Sequence, residues 1–323
     1  MNAASEGLVV RVARKASESA DICRLELVHP ANGRLPAFTA GAHIDVQVPG
    51  GPRRQYSLCN DPQETHRYVI GVLRSPTSRG GSLAMHTRVR EGDLITISPP
   101  RNHFPLLPAA HTLLVAGGIG ITPMLSMAAH LAAVGSGFSL HYCATSNRRM
   151  AFLDTLGAKG IKEHVSLHPD DGAPDERLPV ATALAPPQAD ARLYVCGPHG
   201  FMQWITDSAS KLGWAPDRIH TEAFSPTQEA LATDSKPFEV VLKTTGQVLT
   251  VPPGRSVASV LTEAGVNLTL SCEAGICGTC VTRVLEGTPD HRDQYLTEEE
   301  QARNDQFTPC CSRAISDRLV IDL

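Results

Sequence analysis

Residues 113–135 read LLVAGGIGITPMLSMAAHLAAVG. Leu113–Ala116 is a short apolar run of the kind a buried strand uses. Gly117, Gly118 and Gly120 form a turn, and from Ile121 to Val134 apolar residues recur at helical spacing. Strand, glycine turn and helix in that order is the unit of a doubly wound α/β sheet. Glycines there permit a tight turn and close approach of a pyrophosphate, whose charge the helix N-terminus favours. The run is not a G-x-G-x-x-G fingerprint, so a plain strand-to-helix turn stays open.

Outward from this unit the pattern continues on the carboxyl side. SLHYCAT and ARLYVCGP read as further strands, LPVATAL and FMQWITDSASKLG as helices, which predicts a parallel sheet. The strand ending in Cys196-Gly197-Pro198 would deliver these residues to the same carboxyl edge as the first glycine turn. A third strand ends near Asp170-Asp171-Gly172, where a carboxylate, assigned to Asp171, could hold a ribose hydroxyl. Together they predict a nicotinamide nucleotide site containing Gly118, Gly120, Asp171, Cys196, Gly197 and Pro198. On the amino side, LVVRVARK, CRLELV, HIDVQV, RQYSL, YVIGVLR and DLITIS are short β-branched runs separated by Gly, Pro and Asn. They predict an antiparallel barrel or sandwich. In RQYSL, alternation puts Arg54, Tyr56 and Leu58 on one face and Gln55 and Ser57 on the other. Arg79-Gly80-Gly81-Ser82 offers N–H groups and a hydroxyl before a short helix, which suits a phosphate. Beyond the parallel sheet, the polar stretch Ser225–Pro237 reads as a linker. FEVVLKTTGQVLTVPPG follows as two strands around Thr245-Gly246, then the helix SVASVLTEAG, a cysteine-rich loop and the terminal strand RLVIDL.

The chain has 323 residues, 42% hydrophobic and 19% charged. That is ordinary globular composition, with length for two or three domains. A net charge of −4 gives no electrostatic reason to expect nucleic acid or an anionic membrane as partner. No apolar core for a secretory signal stands near the amino terminus. Asn102–Ala144 carries no Asp, Glu, Lys or Arg, but Pro105, Pro108, Pro123 and the glycine run interrupt any span of membrane length. A soluble, cytoplasmic chain with reduced thiols is expected, and a monomer is its simplest state.

Four of the nine cysteines, Cys272, Cys277, Cys280 and Cys310, follow the spacing C-x4-C-x2-C and then a long gap. This is the ligand spacing of a plant-type [2Fe–2S] cluster, in which four thiolates hold two irons. Gly275 and Gly278 let the loop close on the cluster, and a zinc site would show cysteine pairs on both sides. Cys311 adjoins Cys310, leaving the register of the last ligand to be decided; Cys310 is the expected one. Cys23, Cys59, Cys143 and Cys196 read as small buried hydrophobes.

RQYSL, RGGS, GGIGITPML, CGP with FM three residues on, EAF, the cysteine spacing and EGTPDHRDQYLTEEE together resemble the phthalate dioxygenase reductase family. The resemblance covers essentially the whole chain in one order. It implies a flavin-binding antiparallel β-barrel domain at 1–104, an NAD-binding doubly wound α/β domain at 105–228 and a linker at 229–236. A β-grasp, plant-type ferredoxin domain would occupy 237–323. It implies hydride transfer from NADH to FMN and single electrons passed through [2Fe–2S] to an oxygenase, usually a Rieske non-haem iron enzyme. On this sequence Arg54, Tyr56, Ser57 and Leu58 would contact the flavin. Gly71 and Val72 would border its ring, and Gly80, Gly81 and Ser82 would receive its phosphate. Thr122 would sit near the hydride-transfer position, and Phe224 near the flavin face where nicotinamide enters. FAD remains the alternative flavin. NADPH remains the alternative donor because Ser146-Asn147-Arg148-Arg149 could bind a 2′-phosphate. A cytochrome P450 acceptor and a redox-sensing role are the alternative functions.

Overall fold

The computed structural model describes residues 7–51, 53–75, 80–185, 190–224, 236–270, 273, 275, 278–293 and 295–323. They fall into two compact units, 1–223 and 224–323. The first begins with β1 (Leu8–Ser17), β2 (Ile22–Val28), β3 (His43–Gln47), β4 (Arg53–Ser57), β5 (Arg67–Leu73), helix α1 (Gly81–Thr87) and β6 (Leu94–Ile97). The strands make an antiparallel sheet in the order β4-β3-β6-β1-β2-β5. An antiparallel bridge between Leu58 and Ile70 links its two edge strands, giving a barrel. Alternation does what it predicts: Val10, Val12, Leu25, Leu27, Ile44 and Ile70 all point into one core.

The same unit continues with β7 (His111–Gly117), α2 (Ile121–Val134), β8 (Gly137–Ala144), α3 (Leu153–Leu156), β9 (Val165–Pro169), α4 (Val180–Ala183), β10 (Ala191–Cys196), α5 (His199–Lys211) and β11 (Ile219–Glu222). The five strands are parallel, in the order β11-β10-β7-β8-β9. β7 is central and buried from Thr112 onward, as its unbroken apolar run predicts. Helix α2 explains the charge-free stretch. Ile121, Met124, Leu125, Met127, Ala128 and Leu131 join a cluster containing Leu114 and Leu140 of the sheet and also Ile22, Val69 and Phe104 from the barrel side. A helix apolar around most of its circumference is one buried on both sides, here between sheet and barrel rather than in a membrane. No helix among the described residues is long and apolar enough to cross a membrane. Gly135, at φ 69°, ends α2 by donating to Leu131 and Ala132 carbonyls.

The second unit contains β12 (Phe238–Leu242), β13 (Val248–Val251), α6 (Val257–Glu263), β14 (Thr282–Glu286), β15 (Pro289–Asp290), α7 (Glu298–Ala302), β16 (Gln306–Phe307), β17 (Arg313–Ala314) and β18 (Arg318–Ile321). Its sheet runs β13-β12-β18-β14-β16. The first hairpin is antiparallel and the terminal strand β18 inserts parallel to β12. Val257 and Leu261 of α6 pack on Val240, Leu319 and Ile321. Ser256 caps α6 by accepting from the Ser259 N–H at 3.1 Å. Buried Arg313 lies 5.0 Å over the Phe238 ring and donates to the Lys236 and Pro252 carbonyls at 3.1 and 3.2 Å. The expected linker at 229–236 lies, except for Lys236, outside the described residues.

Candidate functional site

Strand β4 carries Arg54, Tyr56 and Ser57 along the barrel edge, and the turn before α1 comes to meet it. A Cβ placed on Gly81 would lie 3.2 Å from the Arg54 side chain, so only glycine allows this approach without displacement. Gly80 has φ 98°, and Ser82 Oγ accepts from the Ser75 N–H at 3.2 Å. A guanidinium, a glycine turn and a hydroxyl thus converge as a phosphate site requires. Arg79 lies outside the described residues. Two residues without sequence motifs fix α1. His86 Nε2 donates to the Val72 carbonyl at 2.8 Å, and Lys15 Nζ donates to the Met85, His86 and Val89 carbonyls at 3.0, 2.6 and 2.7 Å. Lys15 therefore caps the carboxyl end of a helix too short to hold itself. Leu58 and Val72 are fully buried in the barrel core, so their side chains support this wall from behind. Burial also pushes the Tyr56 phenol well above its ordinary range.

On the side of the parallel sheet, the buried Thr122 methyl and Phe152 ring pack directly against Gly71: a Cβ there would meet them at 2.8 and 3.0 Å. Thr122 Oγ1 donates to the Ile119 carbonyl at 3.0 Å. Ser57 Oγ donates to Glu222 Oε2 at 3.4 Å, joining the barrel to the last strand of the parallel sheet. Part of Glu222 reaches the surface, but its carboxyl lies deep in the fold, and desolvation raises its pKa to about 8 despite the Ser57 bond. Burial and the Glu222 charge also raise the Cys196 thiol. Glu222 was legible only as part of EAF. Its chemistry becomes visible when β11 pairs with β10 and sets it beside Cys196. Phe224, two residues further, is 39% exposed.

At the carboxyl edge of the sheet, a pocket of about 580 Å³ is lined by Gly117, Gly118, Ile119 and Pro198, and also by Asp170 and Arg149. Gly118 takes φ 55°. A Cβ on Gly120 would lie 2.2 Å from the Cys196 carbonyl oxygen, so this glycine seats α2 against β10. Gly197 leaves space for Phe201, whose ring would be 2.8 Å from a Cβ there. The structure differs from the sequence reading at one carboxylate. Asp171 Oδ1 accepts the Asn147 N–H at 2.9 Å and fastens the loop after β8; it is Asp170 that lines the pocket. Arg149 lies 3.6 Å from Asp21, and the Arg148 carbonyl accepts the Ala20 N–H at 3.3 Å.

In the second unit, Cys280 and Cys310 are buried and their thiols are in hydrogen-bond contact, with the Gly275 N–H directed at the Cys310 sulfur. Glu273, Gly275 and Gly278 have φ of 54°, 72° and 66°, the left-handed coil that turns backbone N–H groups inward. A Cβ on Gly275 would lie 2.4 Å from Cys311 Sγ. Cys311 adjoins the pair, its thiol in hydrogen-bond contact with Cys310, and its Sγ also lies 3.2 Å from Thr308 Oγ1 and 3.8 Å from Ser312 Oγ. Cys272 and Cys277 lie outside the described residues. Paired buried thiols, the Gly275 N–H aimed at sulfur and two glycine positions with no room for a Cβ suit an iron–sulfur cluster. Cys23, Cys59 and Cys196 are buried, Cys143 is half-buried, and burial raises all four thiols, Cys143 to about 12.

A flavin-type barrel and a nucleotide sheet sharing one unit, joined to a plant-type ferredoxin unit, define an electron-transfer reductase. Residues 240–314 match the 2Fe-2S iron-sulfur cluster binding domain. The chain is 51% identical to a vanillate O-demethylase oxidoreductase of Pseudomonas sp. (strain HR199 / DSM 7063), over 94% of this chain and 96% of that protein. The solved phthalate dioxygenase reductase, described as a modular structure for electron transfer from pyridine nucleotides to [2Fe-2S], matches with TM-score 0.77 and 40% identity over 98% of both chains. An intact type IV self-sufficient cytochrome P450 monooxygenase matches with TM-score 0.82 and 37% identity, over 98% of this chain and 41% of that one. The chain therefore belongs to the phthalate dioxygenase reductase family, the flavin and [2Fe–2S] reductase components of two-component oxygenases.

Proposed function

We propose that this reductase takes electrons from NADH, holds FMN, and delivers to a Rieske non-haem iron oxygenase that demethylates a methoxylated aromatic acid. The observation that carries the acceptor is the likeness to vanillate O-demethylase oxidoreductase along nearly the whole of both chains. The reading of NADH is supported by Asp170 in the pocket wall: a carboxylate accepts ribose hydroxyls and repels a 2′-phosphate. Arg149, the competing phosphate ligand, is partly neutralised by Asp21. FMN rests on the family resemblance, with Arg54, Gly81 and Ser82 as the phosphate end of its site.

When bound, FMN and the [2Fe–2S] cluster together convert a two-electron hydride donor into a source of single electrons. The chain aligns and isolates them. Arg54 and the Gly80–Ser82 turn hold the phosphate. Gly71 lets the barrel wall pack directly against Thr122 and Phe152, a contact that any side chain there would force apart. Glu222 holds its proton at neutral pH and so adds no negative charge beside Ser57. Phe224 guards the entry face. Cys272, Cys277, Cys280 and Cys310 supply four thiolates. No general base or nucleophile is required.

The test is reconstitution with a purified vanillate-demethylating oxygenase. Expected are NADH oxidation and formaldehyde release in equal amounts, extractable FMN, and a kcat/KM for NADPH at least tenfold lower. Extraction of FAD, or equal use of NADPH, would overturn those assignments. The likeness to a self-sufficient P450 supports a second acceptor; reduction of a P450 but not of the oxygenase would favour it.

A further inference from the structure

Helix α5 presents to the nucleotide pocket an aromatic pair, Phe201 of the CGP–FM motif and Trp204, to which the sequence assigns no role. The Phe201 ring packs over Gly117 and Gly197, which are left without side chains to receive it. One turn later Trp204 meets Phe201 edge-to-face, with centroids 6.1 Å apart at 61°, yet remains 46% exposed. The only other tryptophan, Trp214, is 5% exposed and donates its Nε1–H to the Leu184 carbonyl at 3.3 Å. An open aromatic face on a pocket wall, braced edge-to-face by a second ring, is a surface that a planar ligand can cover.

The other parts of a dinucleotide already have places. Glycines at the ends of β7 and β10 suit the pyrophosphate. Leu73 and Ile22, at the barrel side of the same pocket, border the reacting end. Asp170, on the edge strand, suits a ribose. The base is left, and the unclaimed apolar lining includes Trp204 and Leu178. We propose that Trp204 is the stacking surface for the adenine ring of the nicotinamide nucleotide, a residue of affinity and not of hydride transfer. The inference rests on the pocket being the nucleotide site, as read above. Base–aromatic stacking contributes roughly five- to hundredfold in affinity.

The holoenzyme, excited at 295 nm, is titrated with ADP-ribose, which has the adenosine half and no nicotinamide. Tryptophan emission should change on binding, keep its response in Trp214→Phe, and lose it in Trp204→Phe. Trp204→Ala should raise the Kd for ADP-ribose and the KM for NADH about tenfold with kcat unchanged. It should leave the KM for reduced nicotinamide mononucleotide, which lacks adenosine, where it was. Normal ADP-ribose affinity in Trp204→Ala, with weakened affinity in Asp170→Ala, would overturn the stacking role and leave the pocket reading intact. Normal affinity in both variants would overturn both. An equal rise in KM for the mononucleotide would mark general damage to the site and also reject the proposal.

Discussion

Glu222 shows how one residue changes meaning between sequence and fold. In the chain it is an acid at the end of a strand; in the structure its carboxyl is desolvated beside Ser57 and Cys196, with its pKa raised to about 8. Unfolded, it would titrate near the usual carboxyl value of about 4.3. Between those values the folded chain keeps a proton that the unfolded chain has lost. This contribution to stability is therefore fully present below about pH 4 and is lost as pH rises toward 8. The slope is at most about 1.4 kcal/mol per pH unit, an upper bound because part of the residue meets solvent. Thermal melts at pH 4 and pH 8 should show Glu222→Gln equal to the parent at the lower pH and more stable at the higher; parallel curves would reject the buried-acid reading. The two adjacent cysteines pose a residue-scale question of another kind. Cys310 contacts both Cys280 and Cys311, whereas Cys311 reaches Cys310 and is further engaged by Thr308 and Ser312. Cys310→Ser should lose the visible absorption of the cluster, and Cys311→Ser should keep it, with at most a small change in stability. Loss in Cys311→Ser with retention in Cys310→Ser would reverse the register.

At the scale of elements, the strand–turn–helix of residues 113–135 was legible because its periodicity and glycines are local signals. The division of labour among its glycines was not, since that depends on what packs against each one. Gly120 seats α2 on the backbone of Cys196, where a methyl would stand 2.2 Å from an oxygen and 2.4 Å from its carbon, atoms that cannot rotate away. Gly118 has open space around its ideal Cβ and needs only its φ of 55°. Gly118→Ala should cost about 1–2 kcal/mol, the penalty of a left-handed alanine, and lower Tm by a few degrees. Gly120→Ala should cost about 3 kcal/mol or more and weaken nucleotide binding as well, because α2 must move away from β10. Similar melting temperatures for the two variants would contradict this assignment. The same limit explains the carboxylate pair: sequence put an acid at the end of β9, but only the Asn147 N–H separates Asp171, which it engages, from Asp170, which faces the pocket. Lys15 and His86, which hold α1, act across 70 and 14 positions of sequence and left no signal at all.

For the whole molecule, three sheets were readable from three patterns: alternation in the barrel, strand–helix order in the nucleotide sheet and cysteine spacing in the ferredoxin sheet. How tightly the first two join was not readable, because the residues that join them are ordinary apolar ones. Ile22, Val69 and Phe104 share a core with α2, so barrel and parallel sheet form one compact unit, while Val240, Leu261, Phe307 and Ile321 form a core of their own. Among the described residues, none of the second unit belongs to either core of the first. Since cooperative units follow shared cores, a chain ending at Ala223 should fold, retain its flavin and reduce ferricyanide with NADH at a rate within about threefold of the intact protein. It should lack cluster absorption and fail to support the oxygenase, because the route for single electrons has been removed. An insoluble or flavin-free product would mean that the first unit depends on the second for its stability. A chain ending one residue later, at Phe224, separates the ring from the ferredoxin unit: if Phe224 guards the flavin face, restoring it should change the KM for NADH relative to the shorter chain. If the two chains behave alike, the half-exposed ring has no part in the nucleotide's approach.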